Sequence, residues 1–147
     1  NIQLPADFTI ELWARLNVVT TSSNIPFVVL GNSSSTGNWQ FDINASNNLR
    51  LQYNVTGDLS ASTGLTANTW HHLAVVRSGT TVKIYKDGTE VASGTISQNF
   101  NATETVYIAR NRGNSTFLNG YVSDVRITAG LARYTANFTP PTAALQG

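Results

Sequence analysis

Within the stretch Phe8 to Leu16, Glu11, Trp13 and Arg15 recur at alternate positions. On an extended strand that spacing puts an acid, an indole and a guanidinium on one face. A pyranose ring has an apolar CH face and a rim of hydroxyls, so an aromatic plane beside charged or amide groups suits it. The same trio also suits a peptide. Trp70 and His72 repeat the spacing, as do Gln40 with Asp42 and Arg50 with Gln52. If the strands that carry them are neighbours, Glu11, Trp13, Arg15, Asp42, Arg50, Trp70 and His72 form one ligand-binding surface. The competing expectation is structural: large rings cover a curved sheet, and Glu11 and Arg15 sit in cross-strand ion pairs.

Other chemistry is thinly represented. The chain has no Cys, so a thiol nucleophile, a thiolate metal site and a disulfide are all excluded. It has no Gly-x-Ser-x-Gly elbow, and no two glycines lie within two residues of each other, so it has no glycine-rich phosphate loop. His71 and His72 are adjacent, point to opposite faces of one strand and cannot chelate one ion together. Calcium takes six to eight oxygen ligands. The loops offer Asp58 and Glu104 as acids, so a Ca²⁺ site would depend on them together with Asn and backbone carbonyls. Asp87 reads as a turn residue, and Asp124 with Arg126 as a structural pair or as groups bonded to a neighbouring loop.

The elements that must position these residues are strands. Asn, Ser and Thr make up 48 of the 147 residues, which favours turns and hydroxyl-rich strands over helices. Phe8 to Leu16 alternates strictly, with Phe8, Ile10, Leu12, Ala14 and Leu16 apolar. Further strands are expected at 26–30, 39–43, 49–53, 70–77, 81–86, 90–95, 105–110 and 117–128, with a weak one near 58–62. On the last long strand Tyr121, Ser123, Val125 and Ile127 are expected to share a face. Ser78-Gly79 and Asp87-Gly88 are hairpin turns. A helical turn is expected at 129–134. Strands about 8 to 12 residues apart predict a single all-β, two-sheet antiparallel sandwich.

Only 12% of the residues are charged and the net charge is +1, which gives no electrostatic case for nucleic acid. No apolar run approaches the roughly 18 residues of a membrane span, so no membrane insertion is expected. The absence of Met points to a domain excised from a longer chain, with a processed product as the alternative.

Four stretches in order carry a resemblance: 8–13 (FTIELW), 65–77 (LTANTWHHLAVVR), 82–88 (VKIYKDG) and 117–127 (FLNGYVSDVRI). Together they resemble the laminin-G-like, concanavalin-A-like jelly rolls. The segment 127–141 is similar to the version found in phage and marine viral structural proteins. The resemblance implies a jelly roll that binds a sugar or a cell-surface receptor on a concave face or loop rim, sometimes through Ca²⁺. It implies an extracellular or virion setting, with the parent protein's own assembly as the alternative partner. β-Glucan hydrolases of this fold carry closely spaced acids on one strand, because retaining hydrolysis needs two carboxyl groups about 5–5.5 Å apart. Here the only Glu residues are Glu11, Glu90 and Glu104, and none has Asp two or three positions on. A non-catalytic module is therefore expected. The family's opening strand is reduced to residues 2–4, so this strand is either cut short or missing, with an exposed edge.

Overall fold

In the computed structural model the described residues are all except 1, 5, 20–22, 32–35, 63, 101–102 and 146–147. Ten strands form in chain order: β1 (Phe8–Leu16), β2 (Ile25–Leu30), β3 (Trp39–Ile43), β4 (Asn48–Tyr53), β5 (Gly57–Ser62), β6 (Trp70–Ser78), β7 (Thr81–Lys86), β8 (Thr89–Thr95), β9 (Val106–Ile108) and β10 (Gly120–Ala129). They pair into two antiparallel sheets of five. The first runs β10-β1-β6-β7-β8 and the second β5-β4-β3-β2-β9.

The core lies between the sheets, where the alternating apolar positions meet. Ile10 and Leu12 of β1, Leu73 and Val75 of β6, Val82 and Ile84 of β7, Phe41 and Ile43 of β3 and Leu49 and Leu51 of β4 are all fully buried there. Successive side chains of a strand point to opposite faces, so the polar partners of these residues face outward from each sheet. Leu4 is also fully buried, and its backbone pairs with Phe100 in a single antiparallel bridge. The residue left over from the expected opening strand is thus seated in the core.

Two expectations fail for identifiable reasons. First, the pairing of β1 with β10 shifts register between Glu11 and Trp13, and Asp124 adopts φ +51°. This bulge inserts one residue and reverses the alternation. Val122, Val125 and Ile127 pack on the core, whereas Tyr121 and Ser123 stand opposite Arg15 and Trp13 on the outer face. Tyr121 and Ser123 therefore do not share a face with Val125 and Ile127. Second, residues 129–134 form no helical turn. Their backbone is spent on the first sheet: Thr9 Oγ1 donates to the Leu131 carbonyl at 3.0 Å and accepts from the Arg133 N–H at 2.9 Å. Among the described residues no helix is long and apolar enough to cross a membrane.

From Leu131 the chain runs across the outer face of the first sheet as a strap. Phe138 N–H donates to the Gly88 carbonyl at 2.9 Å, Asn137 Oδ1 accepts from the Glu90 N–H at 2.9 Å, and Lys83 Nζ donates to the Thr135 carbonyl at 3.1 Å. The 87–88 turn is shaped for this contact. A Cβ at residue 88, where φ is +78°, would collide with the Phe138 carbonyl oxygen, so the close approach of the strap requires glycine. Tyr134 and Phe138 stack with ring centroids 3.6 Å apart and planes 7° from parallel. They close a second small apolar cluster on Ala74, Val76 and Tyr85.

Candidate functional site

The strap decides the fate of the polar face of β1. Glu11 is fully buried. Its Oε1 accepts from Arg126 Nε at 2.9 Å and from Nη2 at 2.7 Å. Its Oε2 accepts from Tyr134 OH at 2.9 Å and from His72 Nε2 at 3.2 Å. Burial alone would raise this carboxyl, but hydrogen bonds from His72, Arg126 and Tyr134 together hold it below its ordinary value. Burial, with the Glu11 carboxylate beside it, pushes the Tyr134 phenol up to about 12, so it stays a donor. His72 is fully buried too. Two of the expected ligand-binding residues, Glu11 and His72, are therefore enclosed between sheet and strap. Arg126 pairs with Glu11 and not with Asp124, whose carboxylate accepts from Ser123 Oγ at 3.2 Å.

Beyond the end of the strap the same face stays open. Cross-strand register sets Ser123, Trp13 and His72 in one row and Tyr121, Arg15 and Trp70 in the next. Trp13 and Trp70 lie in a groove of about 500 Å³ with Ser123 and Asp124, closed on one side by Pro141 to Ala144. Trp70 is 44% exposed and Tyr121 56%. The Trp13 ring stands edge-on to His72 at 5.3 Å, which fixes its orientation from below. Arg15 lies over the Tyr121 ring at 5.5 Å and donates from Nε to the Asn68 carbonyl at 3.2 Å. Trp13, Arg15 and Trp70 are thus brought together as expected. The alternation of β1 and β6 did not show Tyr121, Ser123, Asp124 or the strap's end, because the β10 bulge and the path of the C-terminal segment place them.

Asp42 and Arg50 are elsewhere. They belong to β3 and β4 of the second sheet, on its outer face, so the seven residues do not form one surface. Arg50 grips Asp42 bidentately, Nε to Oδ1 at 2.8 Å and Nη2 to Oδ2 at 2.6 Å. Gln40 Nε2 also donates to Asp42 Oδ2. Burial pushes the Asp42 carboxyl above its ordinary value against the pull of Arg50 and Gln40. Asp58, on β5, reaches Arg50 Nη1 at 3.7 Å.

The two acids considered for Ca²⁺ do not converge. Asp58 sits on the β5 edge of the second sheet, and Glu104 precedes β9 at the opposite edge. Among the described residues no three His, Asp or Glu groups cluster for a metal. His71 and Asp87 do more than shape a strand and a turn. Asp87 Oδ2 bonds His71 Nδ1 at 2.7 Å and Oδ1 accepts from the His72 N–H at 2.9 Å, while His71 Nε2 accepts from the Thr66 N–H at 3.2 Å. This ties the 87–88 turn to the base of β6.

Residues 1–131 match the family model Laminin_G_3, the concanavalin A-like lectin/glucanases superfamily. The chain belongs to that superfamily. The match ends where the strap begins. Among solved structures, a candidate carbohydrate binding protein from Bacteroides ovatus has a TM-score of 0.70 at 17% identity, over 86% of this chain and 38% of its own. Domains LG4-5 of the mouse laminin α1 chain give 0.65 at 16%, over 86% and 36%. Domain 4 of AbnA, a GH43 extracellular arabinanase from Geobacillus stearothermophilus, in complex with arabinotriose, gives 0.65 at 17%, over 88% and 63%. The chain therefore spans less than two thirds of each of these structures, and the likeness is one of fold. No curated protein matches this superfamily member by sequence.

Proposed function

We propose that this domain is a non-catalytic carbohydrate-binding module whose contact surface is the Trp13–Trp70 groove. The observation that carries the reading is the groove itself: two indoles left accessible in about 500 Å³, with the Ser123 hydroxyl and Asp124 carboxylate at its wall. Ligand sites are commonly concave, largely apolar and marked by a few placed polar groups. Indoles supply flat area for the CH face of a sugar at low entropic cost, because each has only two χ angles. Asp124 and the Ser123 oxygen, whose proton goes to Asp124, supply acceptors for hydroxyls at the ring's edge, and Arg15 with Tyr121 extends the surface.

Two of the structural neighbours support the reading: a candidate carbohydrate binding protein and an arabinanase domain in complex with arabinotriose. A non-catalytic role fits the acids of this face. Glu11 is locked under the strap by three partners and Asp124 stands alone at the groove, so no pair of carboxyl groups is set for acid–base work. An extracellular setting suits such a module.

The test is a glycan microarray of the wild-type domain, followed by titration calorimetry on the best ligand with Trp13→Ala and Trp70→Ala. Each substitution should weaken binding by about tenfold or more, equivalent to about 1.4 kcal/mol. Binding that survives both substitutions unchanged would refute the groove as the site.

A further inference from the structure

The second sheet half-buries a guanidinium that has no carboxylate hydrogen-bonded to it. Arg112, in the connection between β9 and β10, lies over β2 and β3. Its Nη1 donates to Gln40 Oε1 at 3.3 Å and its Nη2 to the Leu30 carbonyl at 3.5 Å. Both bonds are long and both acceptors neutral. Its Nε is buried and meets no acceptor among the described residues. Burial lowers its pKa. Two other arginines of the sandwich are neutralised: Arg50 by Asp42 and Arg126 by Glu11. Asp42 attracts Arg112 at longer range, offset by repulsion from Arg50, but makes no hydrogen bond to it; its oxygens bond Arg50 and Gln40 instead. The positions outside the described residues contain no Asp or Glu, so none of them supplies the missing charge.

Arg112 borders a cleft of about 320 Å³ that is also lined by Asn24, Gln40, Gln52, Asn111 and Thr116. Four side-chain amides and a hydroxyl line it, with one positive charge and no carboxylate; each amide already makes at least one bond within the protein, and Asn111 uses both its polar atoms. The volume is at the small end of ligand pockets, which start at about 300 Å³, and it matches a single sugar ring better than a long chain. Gln40 and Gln52 stand on adjacent strands in direct register, so the floor is set by the sheet and not by a loop.

We propose that this cleft is a second ligand site, on the opposite sheet from the tryptophan groove, and that it takes the carboxylate of an acidic saccharide. The carboxylate accepts from the terminal N–H groups of Arg112 in a charge-assisted pair. The ring hydroxyls exchange hydrogen bonds with the surrounding amides. A neutral sugar can bond the amides but gives the guanidinium no directly bonded counter-charge, which sets the preference.

The test is titration calorimetry of the whole chain with methyl β-D-glucuronide and methyl β-D-glucoside, which differ only at C6, and with acetate. The glucuronide should bind at least about tenfold more tightly than the glucoside or acetate. Arg112→Gln should remove that advantage. If Arg112→Gln proves misfolded by its thermal melt, Arg112→Lys serves instead. It keeps the charge but loses the planar fork, and should weaken the glucuronide while leaving the glucoside unchanged. Equal affinity for the two glycosides, an acetate affinity matching the glucuronide, no measurable binding of the glucuronide, or insensitivity to substitution at Arg112 would each overturn the proposal.

Discussion

Glu11 on the first sheet and Asp42 on the second are both buried carboxylates at outward-facing strand positions, and each is gripped by an arginine from the adjacent strand. Their surroundings differ. The strap brings Tyr134 down onto Glu11, which with His72 and Arg126 gains enough donors to outweigh burial and hold it low. Asp42 has Arg50 and Gln40, and burial prevails. Over Glu11 the chain itself covers the sheet, and ligand access survives only past the strap's end. On the second sheet the polar floor borders a cleft. Outward alternation makes a residue available for a surface role, and the segment that later crosses the sheet decides whether the role is kept.

The comparison is broken most severely by removing the strap. A chain ending at Gly130 loses Tyr134 and Phe138 from Ala74, Val76 and Tyr85 and uncovers the Glu11 network. It should lose about 4 kcal/mol or more in chemical denaturation. A loss under about 1 kcal/mol would show that the strap is only draped over the sheet.

Next in size, Glu11→Gln leaves Arg126 without its counter-ion and should cost about 3 kcal/mol. Its pH response sharpens the contrast. A lowered carboxyl contributes stability that is present above its unfolded value, near 4.5, and lost as pH falls through the folded value. Thermal melts should therefore show less acid-side loss in Glu11→Gln than in the wild type. Asp42 has the opposite sign. Its raised carboxyl contributes stability that is lost as pH rises through the folded value, so Asp42→Asn should show more acid-side loss relative to neutral pH than the wild type.

The smallest expected stability effect is at the groove. Trp70 is 44% exposed, so Trp70→Ala should change unfolding free energy by less than about 1 kcal/mol while weakening glycan binding by about tenfold or more. A large destabilisation would make Trp70 a structural residue.

Much of this architecture was legible because its signals are local. Phe8 to Leu16 alternates without interruption, and the Asp87-Gly88 turn announces its hairpin. Those patterns place Trp13, Arg15 and Trp70 on one outward face. What they do not carry is which strands are neighbours: β3 and β4 alternate just as β1 does, yet belong to the other sheet, and that separates Asp42 and Arg50 from Trp13. The β10 bulge is a one-residue event at Asp124, with no glycine to mark it. The strap was hidden because it lacks the periodicity of a helix or a strand. A physical trace of its path is Gly88, whose missing side chain makes room for the carbonyl of a residue fifty positions later. Arg112 was equally silent, since partial burial with only neutral hydrogen-bond partners is a property of three-dimensional surroundings.

The central claim is that a glycan binds in the groove between Trp13 and Trp70. The chain has three tryptophans, and the third, Trp39, is fully buried in the core. Their indole N–H signals in a proton–nitrogen correlation spectrum give three separate reporters. Titration with the best array glycan should shift the Trp13 and Trp70 signals and leave Trp39 in place. Shifts confined to residues of the second sheet, with both groove indoles unmoved, would contradict the account.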